Sequence, residues 1–159
     1  IKGTEGAITV EPDEDYVIPF GKARTVIEAE ADKIASSESM VIITYGRGVY
    51  WSLEAEEKYK GRVEIIDLRT LSPIDETAIF ESVKKHNRAM LVTEESIEAT
   101  FTLALAGKIQ KECFQYLDAP GEIIGSVDTP AIPLNSILEY ELLTNADKVE
   151  VGIERTLNF

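Results

Sequence analysis

A chain of 159 residues that is 44% hydrophobic can hold one domain with a real core, burying roughly two thirds of the surface its unfolded form exposes. Sixteen basic against 29 acidic residues leave a net charge of −13, which repels phosphate backbones and anionic headgroups; no nucleic acid and no membrane is expected as a partner, and a basic protein segment is. One cysteine, Cys113, rules out an internal disulfide, and without a signal peptide or an apolar run of roughly 18 residues the chain reads as soluble, intracellular and cytoplasmic.

The sequence opens at Ile1 without a methionine, and residues 1–15 have the polar, acidic composition of a linker from an upstream domain, which points to a piece of something longer. The domain itself is expected over residues 16–159. Ala23–Ile27 is a weak strand candidate, followed by a charged, serine-containing stretch to Ser39. Met40–Tyr45 is apolar on both faces, as a strand buried between helix layers should be, and Gly46-Arg47-Gly48 ends it. Trp51, Ala55 and Tyr59 then recur at helical spacing, with Gly61 closing the helix. Val63–Leu68 is a second buried strand. After it, Ser72 is placed to cap a helix over Asp75–Lys85, with Pro73 where a missing N–H is harmless and Asp75 and Glu76 at the positive end of the dipole. Ile79 and Val83 share that helix's inner face. Ala89–Thr93 makes a third buried strand ending at Glu94-Glu95, and Phe101, Leu105, Ile109 and Cys113 mark the inner face of the next helix. Glu122–Val127 reads as a strand, 129–135 as a proline-interrupted loop, Ser136–Leu143 as a short helix, and a last helix from about Ala146 turns Val149, Ile153 and Leu157 inward. Strands alternating with helices imply βαβ crossovers, hence an α/β class domain: a three-layer α/β/α sandwich on a mostly parallel sheet.

The chemistry-bearing residues are few. Gly46-Arg47-Gly48 after a strand invites a dinucleotide-binding reading, with Asp67 near the distance of a ribose-binding carboxylate, but the third glycine position holds Trp51 and the fingerprint fails. A glycine turn joining strand to helix is the simpler reading. No Walker loop, Cys-x-x-Cys pair or His-x-x-x-His spacing occurs, so neither a metal site nor a catalytic nucleophile is expected. His86 falls in Lys84-Lys85-His86-Asn87-Arg88 at a helix end, where a solvated cationic turn complements the dipole. Cys113 reads as a small buried apolar residue. Glu94 and Glu95 sit at the carboxyl end of a strand, the edge where open α/β sheets place ligands, yet neighbours on a strand diverge; a structural or interface role is favoured over catalysis. Arg69 either forks onto a carboxylate within the domain or reaches across an interface.

Several words in order, YVIPFGKAR (16–24), YGRGVYWSLEA (45–55), IDLRTLSPID (66–75), SVKKHNR (82–88), YLDAP (116–120), DTP (128–130) and the closing Leu157-Asn158-Phe159, resemble a known family. It is the C-terminal domain of the beta subunit, or fused alpha-beta chain, of the thiamine-diphosphate-dependent 2-oxo acid dehydrogenase decarboxylating component, in the transketolase-like superfamily. The resemblance implies a sheet of about five strands, one of them antiparallel, for which Ala23–Ile27 is the candidate. It also implies that this domain carries no cofactor, thiamine diphosphate and magnesium being held by upstream thiamine-binding domains of the parent enzyme, and that it builds a homo-oligomeric interface and docks the acyltransferase core. Two departures stand out. Ser96–Phe101 lacks the glycine-rich stretch that often follows the strand-end glutamate, and Leu143 is followed by Thr144, a candidate helix cap, where a Leu-Pro pair is common.

The expected function is therefore an assembly and partner-docking domain that supports oxidative decarboxylation of branched-chain 2-oxo acids or pyruvate without performing it. Asp118 and the carboxylate of Phe159 are the candidate acceptors for a basic docking segment. The competing reading is a free-standing acidic interaction module or a small-ligand α/β domain using the crevice at its strand ends.

Overall fold

The computed structural model describes residues 14–98 and 100–159. All but Glu14 and Asp15 of the expected linker therefore lies outside the described residues, as does Ala99 in the stretch after Glu95. Five strands, β1 (Arg24–Ile27), β2 (Met40–Thr44), β3 (Val63–Asp67), β4 (Ala89–Ser96) and β5 (Glu122–Ser126), form one sheet in the order β1-β3-β2-β4-β5. Only β1 runs antiparallel, pairing Arg24 with Asp67 on β3, as expected for this segment. The remaining ladders are parallel.

Alternation along the strands divides the core in two. Val41, Ile43, Ile66 and Leu91 face α3 (Glu76–His86) and α4 (Phe101–Cys113), where Ile79, Val83, Leu105, Ile109 and Cys113 meet them. Met40, Ile42, Ile65, Met90 and Val92 face α2 (Arg47–Glu56) and α6 (Ala146–Leu157), meeting Ala55, Val149 and Ile153. This is the three-layer sandwich that the apolar runs predict. The two short helices are α1 (Ala31–Ala35), within the stretch to Ser39 where the sequence pattern shows no element, and α5 (Ser136–Leu142). Among the described residues no helix is long and apolar enough to cross a membrane.

Both helices on the second face touch the sheet through a glycine. A Cβ on Gly48 would stand 2.1 Å from Thr44 Oγ1, and one on Gly152 would stand 2.5 Å from Met90 Sδ. Each glycine carbonyl also accepts a buried hydroxyl one turn later, from Ser52 (2.7 Å) and Thr156 (2.8 Å). The glycine after β2 thus serves close helix–strand packing. That packing also corrects the expected inner face of α2: Gly48, Ser52, Ala55 and Glu56 are buried, whereas Trp51 and Tyr59 flank them half-covered.

Three local expectations are corrected. The cap of α3 is Asp75 rather than Ser72: its Oδ1 accepts from Ala78 N (3.3 Å) and its Oδ2 from Ala23 N (3.1 Å), so one carboxylate both starts the helix and holds the chain entering β1. Thr70 Oγ1 meanwhile closes a turn onto Pro73 O (2.9 Å), keeping Ser72 outside the helix. Thr144 is not the cap of α6 either; it is buried and donates to Thr93 O (2.8 Å), and Asn145 caps instead by accepting from Lys148 N (3.0 Å).

The third correction concerns His86, which is buried rather than solvated. Its Nδ1 lies 2.7 Å from Ser39 Oγ, and its Nε2 faces Glu64 Oε2 at 3.3 Å with no other partner. Glu64 is buried too and accepts hydrogen bonds from Ser82 and Lys85. His86 follows Val83 by three residues and Ile79 by seven, so the helical period itself places it on the buried face of α3, and Asn87, left-handed at φ 61°, ends the helix directly after it.

Candidate functional site

Asp118 and Phe159 are 41 residues apart in sequence and line one hollow of about 480 Å³, together with Gln110, Phe114, Leu117 and Pro120. The hollow is shaped by a 3₁₀ turn, Phe114–Tyr116, that continues α4. Leu117 N returns to Phe114 O (3.2 Å), Asp118 N donates to Asn87 O (2.8 Å), and Asn87 Nδ2 donates to Tyr116 O (2.6 Å). Lys84 stands over the Tyr116 ring at 5.2 Å. Backbone and neighbouring side chains thus fix the turn, and the exposed Asp118 carboxylate takes no part in holding it. Phe114 and Phe159 are 71% and 72% exposed, an apolar pair beside the Asp118 carboxylate that no described residue covers. A second hollow of about 390 Å³ adjoins, lined by Pro120, Glu122, Arg155 and Phe159, with Arg155 paired to Glu122 at 3.0 Å. Because Asn87 precedes β4, this surface lies at the amino ends of the parallel strands.

The other predicted residues gather at the opposite end. Glu94 and Glu95 diverge as strand neighbours must. Glu95 accepts from Tyr45 OH (2.6 Å), whose oxygen also meets Thr93 Oγ1 (2.9 Å), while the Tyr45 ring packs edge-on against Phe101 at 6.1 Å. Burial, and then the Glu95 carboxylate, push the Tyr45 hydroxyl above its ordinary pKa, so it stays a proton donor. Glu94 turns to the α2 and α6 side and lines a hollow of about 470 Å³ with Arg47, Trp51, Glu139 and Tyr140. The two carboxylates therefore face different surroundings, Glu95 the Tyr45 hydroxyl and Glu94 the hollow. Arg69 joins neither group; it follows β3 at φ 56°, half-buried, with its backbone N donating to Asp67 Oδ1 (3.0 Å). That bond also gives Asp67 a local turn role.

No cluster of three or more potential metal ligands occurs among the described residues, and the space in front of Gly48 is filled by Thr44 and Val92 of its own sheet. Sequence reasoning missed the Ser39–His86–Glu64 network and the Arg47, Trp51, Tyr140 wall. A glutamate inside the run VEIID was the signal for the first, and the broken glycine motif marks the second.

Comparison with known proteins matches residues 29–149 to the family of the transketolase C-terminal domain. The chain is 34% identical over 151 residues to the 2-oxoisovalerate dehydrogenase subunit beta of Bacillus subtilis (strain 168), covering 93% of this chain and 44% of that protein. It is 34% identical to the pyruvate dehydrogenase E1 component subunit beta of Rickettsia felis, with 89% and 40% covered, and 32% identical to an acetoin:2,6-dichlorophenolindophenol oxidoreductase subunit beta of Bacillus subtilis, with 87% and 39% covered. A solved structure described as a split gene transketolase, inactive beta4 tetramer, superposes with a TM-score of 0.71 at 17% identity, over 95% of this chain and 47% of that one. This chain thus spans less than half the length of each of these proteins.

Proposed function

This chain belongs to the transketolase C-terminal domain family, and we propose from that membership that it is the assembly and partner-docking domain of a 2-oxo acid dehydrogenase decarboxylating component. The similarity to the beta subunits of a 2-oxoisovalerate dehydrogenase and a pyruvate dehydrogenase supports oxidative decarboxylation of such an acid by the parent enzyme, with this domain contributing no catalytic residue. Thiamine diphosphate and magnesium belong to upstream domains. Calorimetry with both should give no saturable heat with this chain; micromolar binding would relocate the cofactor site. Uncovered apolar side chains support subunit packing: α5 buries none of its residues, and Ile132, Leu134, Ile137 and Leu138 stand exposed on and before it.

The observation that carries docking is the shared hollow, in which the Asp118 carboxylate offers an acidic acceptor beside the exposed Phe114 and Phe159 rings on a chain of net charge −13. A basic segment of the acyltransferase core, with arginine or lysine donors, is the complementary partner. Surface plasmon resonance against that segment tests it. Asp118→Asn should weaken binding several-fold at low salt, with the difference shrinking as salt screens the exposed charge, and Phe159→Ala should weaken it at low and high salt alike. Unchanged affinity for both variants at low salt would move the docking face elsewhere.

A further inference from the structure

We propose that the hollow at the carboxyl ends of β2 and β4 binds a basic α-amino acid, a free small molecule carrying one carboxylate and two cationic groups. The sheet order puts β2 beside β4, and the helices that follow them, α2 and α4, pack on opposite faces. The hollow lies on the α2 side of that sheet edge, walled by α2, the end of β4 and α5, and the carboxyl ends of the strands are where open α/β sheets collect ligands. At about 470 Å³ the hollow lies within the roughly 300–1,000 Å³ range of small-ligand sites.

Its lining divides by charge. Three of its neutral polar residues are already engaged: Thr144 donates to Thr93 O (2.8 Å), Asn145 caps α6 and donates to Tyr140 O (3.0 Å), and Tyr140 OH donates to Asp147; Ser136 completes the neutral lining. These bonds fix the far wall. The three charged groups, Arg47, Glu94 and Glu139, form no ion pair among the described residues, although all line the same space. Arg47 is held only by stacking over the Trp51 ring at 5.5 Å. An anion would match the guanidinium and meet two carboxylates; a simple cation would match the carboxylates and meet the guanidinium. A ligand with one negative and two positive groups answers all three. Its carboxylate pairs with Arg47, its two cationic groups with Glu94 and Glu139, and its methylene stem lies against Trp51, Tyr140 and Leu143.

Trp51 is the one tryptophan of the chain, so its fluorescence reports on this hollow without competing signals. At constant ionic strength, L-arginine should give a saturable change and bind about tenfold more tightly than agmatine, which lacks the carboxylate, or L-leucine, which lacks the second cation. By calorimetry, Arg47→Gln should remove the preference over agmatine, and Glu94→Gln combined with Glu139→Gln should remove the preference over L-leucine. All three side chains are outside the core, and far-UV circular dichroism checks that the variants fold. No saturable change with L-arginine, equal binding of agmatine or L-leucine by the unaltered protein, or unaltered preferences in the variants would each overturn the assignment. The docking surface lies at the other end of the sheet, so the outcome is independent of that reading.

Discussion

Glu64 puts an ionised group inside a packed core, and its surroundings decide its protonation. Burial pushes the carboxyl up, while His86, Lys85 and Ser82 pull it down further, to about 2 from an ordinary 4.5. Because the folded value is the lower one, this stabilisation is present above about pH 4.5 and is lost as pH falls through about 2; the difference is worth about 3 kcal/mol. Denaturant unfolding of the native chain and of Glu64→Gln should therefore converge between pH 4.5 and 2, and parallel curves over that window would show that the carboxylate contributes nothing specific. Part of this was legible. Within VEIID, Glu64 interrupts the apolar run between Val63 and Ile65, and a buried charge needs a partner. The neighbours Lys84, Lys85 and Arg88 make His86 read as solvated, yet its spacing of seven and three residues from Ile79 and Val83 puts it on the buried face of α3; what the sequence does not show is that Glu64 lies opposite.

At the scale of elements, strands and long helices were readable because apolar period alone specifies them: β2, β3, β4, α3, α4 and α6 fall within a few residues of their expected bounds. Caps were less readable. Ser72 and Asp75, or Thr144 and Asn145, are all favoured cap residues, and the choice depends on bonds with distant chain: Ala23 N donates to Asp75, and Thr144 Oγ1 donates to Thr93 O. The five-residue α1 has too few turns to show a period. Close packing of α2 and α6 gives a comparison between two like substitutions. Gly48→Ala meets Thr44 Oγ1, a β-branched side chain tied to Val92 O at 2.9 Å, and should cost about 3 kcal/mol. Gly152→Ala meets chiefly the end of a flexible methionine and should cost less. Thermal unfolding of the two variants reads the order directly; equal losses would mean that α2 can lift from the sheet as easily as Met90 can turn aside.

For the whole molecule, the layer architecture and parallel sheet could be argued from sequence, but the candidate sites could not be assembled from it. Asp118 and Phe159 are singled out in the sequence, yet only the turn after α4 brings them into one hollow. Glu94 was visible at a strand end, while Glu139 and Tyr140 come from α5, whose approach to α2 no local pattern encodes. The strand order has a dynamic consequence as well. β2 is hydrogen-bonded on both sides, to β3 and to β4, and wholly buried, whereas β1 is a four-residue edge strand with an irregular register. In native-state hydrogen exchange, the amides of 40–44 should open only with the whole molecule and those of 24–27 first, in a sub-global event that leaves the four parallel strands intact. Exchange of both segments at one common rate would instead make the sheet a single cooperative unit. With graded opening, the antiparallel edge can detach without disturbing either end of the parallel sheet.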